Sequence, residues 1–208
     1  MIHGYHVIMP MYGFWLPNDP RGAWSDYVRK FEIAKHGHAS KSLDRKDIES
    51  LTDSELRDRN LAIDSLKYPS VSIEGVQALA ISQGFAKQIE KSNYTAWACS
   101  VLPEHTHFVL ARHSYKVEQV TNLLKGAATA SIVESGLHPL AAFAQKGQRP
   151  PRMWAARGWK QYLDSEEAIE NAINYVVENP EKEGKRIQSW SFVTPFAGIE
   201  KGGWTTYQ

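Results

Sequence analysis

Cysteine, long apolar runs and an excess of charge are all scarce in this sequence of 208 residues. Cys99 is the only cysteine, so an internal disulfide is excluded and a reducing, cytoplasmic setting is expected. No apolar run approaches the roughly 20 residues that a membrane span needs, and we expect neither a signal peptide nor a membrane partner. The formal net charge is only +1, so nucleic-acid binding would have to come from local patches of Lys and Arg.

Hydrophobic spacing alternates between strand and helix periods along the chain. In order it predicts a strand at 5–16, a helix at 74–91, a hairpin at 94–112, a helix at 117–134, a strand or ordered loop at 153–163, and a helix from Asp164 to about Asn179, which Pro180 should end. Residues 29–68 are polar and predict an insertion, and residues 194–208 a tail. The order predicts one α+β domain over residues 1–208: a ferredoxin-like (RRM-like) sandwich with an antiparallel sheet and helices on one face.

Two histidines lie one residue apart in the apolar stretch L-P-E-H-T-H-F-V-L-A-R. Alternate residues of a strand share a face, so His105 and His107 should point the same way, roughly 6.6–6.8 Å apart along the strand. Two imidazoles so spaced could bind one metal ion, but a metal site needs a third ligand. Two ordinary surface or hydrogen-bonded histidines explain the pattern as well. A second H-x-H pair, His36 and His38, lies in the polar insertion.

The stretch A-I-E-N-A-I-N-Y-V-V-E-N-P predicts an amphipathic helix. Tyr175 and Asn179 are four residues apart, about 40° from each other around the axis. Tyr175 could cover the core edge while Asn179 caps the helix. Alternatively the helix crosses the face of the sheet that carries His105 and His107, here called the histidine face. Asn179 could then supply a third ligand, and Tyr175 could face a substrate. Because a neutral phenol is a poor nucleophile, it would need a phosphodiester clamped on a divalent cation. The mixed nitrogen and oxygen donors suit Mg²⁺ or Mn²⁺, with Zn²⁺ as an alternative.

Four stretches, taken in order and spacing, are typical of one family: L-P-E-H-T-H-F-V-L, M-W-A-A-R-G-W-K-Q-Y-L-D-S, Y-V-V-E-N-P-E-K-E-G and S-W-S-F. The sequence resembles the HUH-type single-tyrosine transposases, most of all the REP-associated tyrosine transposases. The resemblance covers residues 5–16 and about 76–193. Thr106 departs from the bulky hydrophobic residue that the family usually has between its histidines, and the insertion departs from minimal members.

The resemblance implies an enzyme that cuts and rejoins single-stranded DNA, with a divalent metal as cofactor. His105, His107 and Asn179 would be the metal ligands. Tyr175 would attack phosphorus and leave a 5′-phosphotyrosine and a free 3′-OH. The family includes dimers that share active sites and monomers that do not, so a homodimer is one expected assembly. A hairpin-binding module that does not cut, and a metal-dependent phosphodiesterase that uses water, are the alternatives.

Basic and aromatic residues interleave in R-P-P-R-M-W-A-A-R-G-W-K-Q-Y. The basic side chains could meet phosphates, and the aromatic ones could stack bases, at about 1–3 kcal/mol per base. The predicted contacts with single-stranded, hairpin-containing DNA are Arg149, Arg152, Trp154, Arg157, Trp159, Lys160 and Tyr162. Lys125, on the predicted helix at 117–134, could also face DNA. Tryptophans that seal the core edge and solvated charges would explain the same residues.

Overall fold

The computed structural model describes residues 1–16, 18–19, 31–35 and 50–199. The His36 and His38 pair, much of the predicted insertion and the end of the predicted tail therefore lie outside the described residues. Within them, four strands form one antiparallel sheet in the order β2-β3-β1-β4. The strands are β1 (Gly4–Pro10), β2 (Ala96–Val101), β3 (His105–Ala111) and β4 (Trp159–Leu163).

Five helices accompany this sheet in the described part of the chain. They are α1 (Phe31–Ala34), α2 (Asp53–Asp64), α3 (Gly75–Ser92), α4 (Val117–Glu134) and α5 (Glu166–Lys182). A short 3-10 helix spans Ala141–Phe143. The predicted α+β fold with an antiparallel sheet is confirmed. None of the described helices is both long enough and apolar enough to cross a membrane.

Helices cover both faces of the sheet, whereas the sequence predicted them on one face. Side chains such as Val7 and Phe108 face α3 and α4 in the main core, while Val109, on the opposite face, packs with Ile169 and Val176 of α5. The one-face prediction therefore holds for α3 and α4 only. Because β3 is central and buried on both faces from His105 to Leu110, its histidines are sandwiched between the sheet and α5.

The two ends of α5 differ from the prediction. Ser165, not Asp164, caps the N-terminus, where its hydroxyl accepts a hydrogen bond from the Ala168 amide at 3.2 Å. Pro180 does not end the helix, because a proline in the last turn removes only one hydrogen bond. The helix instead continues to Lys182 and is followed, after Glu183, by Gly184, whose φ of 66° is left-handed. The amides of Gly184 and Lys185 then donate back to Glu181 and Pro180, at 2.9 and 2.8 Å.

The described part of the predicted insertion packs beside the end of β1. Ile33 of α1 and Ala62 of α2 form a small apolar cluster with Leu16. Thr52 begins α2 with a capping box, in which its side chain and that of Glu55 satisfy each other's backbone amides. This segment therefore has a core of its own, separate from the histidine face.

Candidate active site on the histidine face

The two histidines of β3 lie on the same face of the sheet. The ring centroids of His105 and His107 are 4.7 Å apart, with the planes at 72°. Both side chains are buried, with 8% and 1% of the residue surface exposed. The strand period of two explains this placement, and β1 and β2 on either side hold β3 in register.

A third histidine joins the pair from the neighbouring strand. His6 of β1 is stacked on His107, with ring centroids 5.3 Å apart, and its Nε2 lies 3.0 Å from Nδ1 of His107. One of these two nitrogens must carry the shared proton, so the hydrogen bond fixes the orientation of the His107 ring and directs Nε2 away from His6. No sequence pattern groups His6 with His107, since the two are 101 residues apart.

The tyrosine of α5 lies over these rings. The centroid of the Tyr175 ring is 5.6 Å from that of His107 and 5.6 Å from that of His6. Of the two sequence alternatives for this helix, the structure thus has the one in which it crosses the histidine face. The ammonium of Lys182, two turns later on α5, is 5.1 Å from the centre of the same ring.

The end of α5 reaches the other histidine. Oε1 of Glu183 is 3.6 Å from Nε2 of His105. Tyr175, Asn179 and Glu183 follow one another at four-residue steps along one side of α5. Because Tyr175 meets His107 and Glu183 meets His105, the helix runs antiparallel to β3 at this point. Asn179, which is 6% exposed, lies between them along the same face.

The charge of Glu183 is disfavoured where it stands. Burial raises the pKa of its carboxyl group, the neighbouring Glu104 carboxylate raises it further, and Lys185 acts in the opposite direction. A positive ion beside His105 would favour the charged carboxylate and so act against both causes. Sequence reasoning missed Glu183 because it ended the helix at Pro180.

The donor set on this face fits a divalent cation. The described residues contain no group of three or more His, Cys, Asp and Glu side chains that could hold a metal, so a site here needs a neutral ligand as well. Asn179 supplies one: its Nδ2 is buried with no hydrogen-bond partner among the described residues. Rotating the amide by half a turn would present Oδ1 at that point. Two imidazoles and an amide oxygen, from the predicted ligands His105, His107 and Asn179, would then be the available donors.

The predicted DNA-binding residues are divided between the two faces of the sheet. Trp159 of β4 lies on the histidine face, where it meets the His6 ring edge-on at 5.4 Å. Lys160 and Tyr162 alternate to the opposite face. There Lys160 pairs with Glu118, and Tyr162 packs against Tyr5. A strand of DNA at Tyr175 would therefore meet Trp159 without meeting Lys160 or Tyr162 on the same surface.

Two other predicted contacts are largely buried. Trp154 is 7% exposed within the main core, and its indole nitrogen donates to Thr129 at 3.1 Å. It therefore seals the core, and the prediction that it stacks a base is corrected. Lys125 donates to the backbone oxygen of Ala155 at 3.0 Å, and burial lowers its pKa to about 8. The remaining three, Arg149, Arg152 and Arg157, are exposed.

The fold of this chain is similar to that of a solved protein structure. No family model and no curated protein sequence matches the chain. A solved structure of a REP-associated tyrosine transposase bound to a REP hairpin is similar, with a TM-score of 0.45 and 13% sequence identity, over 96% of this chain and 92% of that one. We infer no function from a similarity of this size.

Proposed function

We propose that this protein cuts and rejoins single-stranded DNA through a covalent 5′-phosphotyrosine at Tyr175. The observation that carries the proposal is the position of the Tyr175 ring, 5.6 Å from each of two hydrogen-bonded imidazoles. Tyr175 packs at the edge of the apolar cluster that includes Ile169 and Val176 of α5, and its ring also meets the imidazoles of His6 and His107. The ring is therefore presented to a pair of histidines, side chains of a type that can bind a metal, with the buried amide of Asn179 one turn away.

The covalent step needs no external energy source. Oη of Tyr175 would form a bond to phosphorus while the bond between phosphorus and O3′ breaks. The proton that leaves the phenol is balanced by the proton that the departing 3′-oxygen takes up. Attack by a 3′-OH on the phosphotyrosine reverses the step and rejoins two strands, because the covalent link retains the energy of the phosphodiester.

The surrounding residues have separate tasks in this scheme. His105, His107 and Asn179 would hold Mg²⁺ or Mn²⁺, which when bound neutralises charge on the scissile phosphate. His6 holds the His107 ring in one orientation through its hydrogen bond. Lys182 places a positive charge beside the Tyr175 ring, where it would attract the phosphate. Arg149, Arg152 and Arg157 would contact phosphates further along the strand.

Adduct trapping tests the proposal directly. The protein is incubated with Mn²⁺ and labelled single-stranded DNA that contains a hairpin, and the products are separated under denaturing conditions. We expect a labelled adduct that survives SDS in the unaltered protein and is absent from Tyr175→Phe. Tyr115→Phe is a matched control, because Tyr115 is an exposed tyrosine packed on His113. Cleavage without an adduct would instead identify a hydrolase that uses water, and binding without cleavage a hairpin-binding module.

A further inference from the structure

The histidine face is only partly covered by α5. The helix packs over β2 and β3, and beside it, above β1 and β4, lies a cavity of about 410 Å³. This volume is within the range of small-molecule sites. The residues that line it are His6, Ile8, Trp159, Gln161, Ala168, Asn171, Ala172 and Tyr175. The cavity therefore begins at the proposed nucleophile and extends along the N-terminal half of α5.

The sequence of α5 explains why space remains here. The wall residues 168, 171, 172 and 175 recur at the spacing of one helix face. Two of them, Ala168 and Ala172, are small residues at the edge of the apolar cluster, so their side chains leave space beside it. Ile169 and Val176 turn toward the other strands and anchor the helix there. The cavity is thus a consequence of small residues on the side of α5 that faces β4.

The residues that line the cavity suit a neutral nucleobase better than a charged phosphate. None of the eight described residues that line the cavity is Lys, Arg, Asp or Glu, so an anion would enter without a counter-charge from the wall. Trp159 offers an aromatic surface that is 37% exposed. Its position is fixed by the edge-on contact with His6. Gln161 and Asn171 are exposed amides, and each carries both a hydrogen-bond donor and an acceptor.

We propose that this cavity binds one nucleobase of single-stranded DNA, next to the phosphate that Tyr175 attacks. This inference rests on the proposed function. The base stacks on Trp159, and the amides of Gln161 and Asn171 pair with its edge. Because Asn and Gln amides match the adjacent donor and acceptor of adenine, adenine is the preferred base. The base lies on the N-terminal side of Tyr175, and the phosphate on the side of Lys182.

Binding is measured without chemistry, so that this inference is tested apart from strand cleavage. Tyr175→Phe protein is titrated into fluorescein-labelled oligo(dA), oligo(dT) and oligo(dC) of about 16 nucleotides, the upper end of known single-strand site sizes. Oligo(dA) should bind most tightly. Adding Trp159→Ala should raise the Kd for oligo(dA) roughly 5- to 150-fold, the range that loss of one base stack predicts. Phe143→Ala is the matched control, because Phe143 is 46% exposed and packs on Tyr68, away from the histidine face.

The amide pair is tested by Gln161→Ala with Asn171→Ala. This double variant should bind oligo(dA) and oligo(dT) alike while retaining Trp159. Equal binding of the three oligonucleotides by the parent protein, or a Trp159→Ala loss no larger than that of Phe143→Ala, would overturn the base pocket. If these shifts occur and no SDS-resistant adduct forms, the pocket stands and the phosphotyrosine proposal falls. If an adduct forms and these shifts are absent, the phosphotyrosine proposal stands and the base pocket falls. Thermal melting of each variant checks that it folds.

Discussion

Replacing His6 tests whether one hydrogen bond prepares His107 to bind a metal. In His6→Phe an aromatic ring remains to stack on His107 at the present 5.3 Å, but the 3.0 Å bond between Nε2 of His6 and Nδ1 of His107 is lost. The variant thus loses the hydrogen bond that sets the tautomer and orientation of the His107 ring. His6→Gln keeps an amide that can reach the same nitrogen, so it should restore part of the effect.

The expected magnitudes separate the metal effect from general stability. A partner that orients a metal-binding histidine typically contributes 10- to 100-fold in metal affinity, which corresponds to about 1.4–2.7 kcal/mol. His107 is 1% exposed, so leaving its Nδ1 buried without this bond should lower the free energy of unfolding by about 1–3 kcal/mol. We therefore expect a protein that is folded but binds Mn²⁺ at least tenfold more weakly.

The assay is calorimetric titration of DNA-free protein with Mn²⁺, alongside urea unfolding. Nitrogen-15 spectra of the imidazoles in metal-free protein report the tautomer of His107, identified by its absence in His107→Gln. His138→Phe is the matched control, because His138 is 5% exposed, similar to His6 at 6%. Nδ1 of His138 accepts a hydrogen bond from the Leu140 amide, away from the histidine face. The reasoning would be refuted if His107→Gln fails to bind Mn²⁺ while His6→Phe binds it with unchanged affinity.

Two further predictions concern stability. In Gly158→Ala the new Cβ would clash with the backbone oxygen of Ile8, so urea unfolding should show a loss of about 1–3 kcal/mol; Gly126→Ala, with nothing within 4 Å, should instead gain about 0.5–1 kcal/mol. Lys125 has a pKa of about 8 in the folded protein against 10.5 unfolded, a difference of roughly 3 kcal/mol. Below pH 8 the folded state bears the full cost of burying the Lys125 charge. Between about pH 8 and 10.5 the lysine is deprotonated in the folded state but still protonated in the unfolded state. The free energy of unfolding should therefore rise with pH in that window relative to Lys125→Met, and parallel curves for the two proteins would show that the charge is not buried.

Much of the site geometry follows from local periods that the sequence displays. The strand period of two put His105 and His107 on one face, and the helix period put Tyr175 and Asn179 on one side of α5. These relations hold wherever the elements pack, because they depend only on backbone geometry. What they leave undetermined is which face of the sheet α5 covers, and the two sequence alternatives for Tyr175 differed on that point.

The parts that sequence reasoning missed depend on distant contacts or on backbone angles. His6 meets His107 only because β1 and β3 pair across 101 residues. The predicted end of α5 was wrong because proline commonly ends helices. The helix instead continues to Lys182, just before Gly184, which has a left-handed conformation. Trp154 and Trp159 are the same type of residue and lie only five residues apart in the sequence. Their separation into core and exposed surface depends on where β4 begins, which local propensity does not specify.

Tyr175 divides the histidine face into two chemically different halves. Toward the N-terminus of α5 the wall is small, neutral and beside an exposed tryptophan. Toward the C-terminus it carries Asn179, Lys182 and Glu183 next to His105 and His107. A nucleotide has the same division, with a neutral aromatic base on one side of the sugar and a charged phosphate on the other. The extra turn of α5 beyond Pro180 is what brings Lys182 and Glu183 to the phosphate side, so shortening that turn should weaken phosphate and metal binding while leaving base stacking on Trp159 intact.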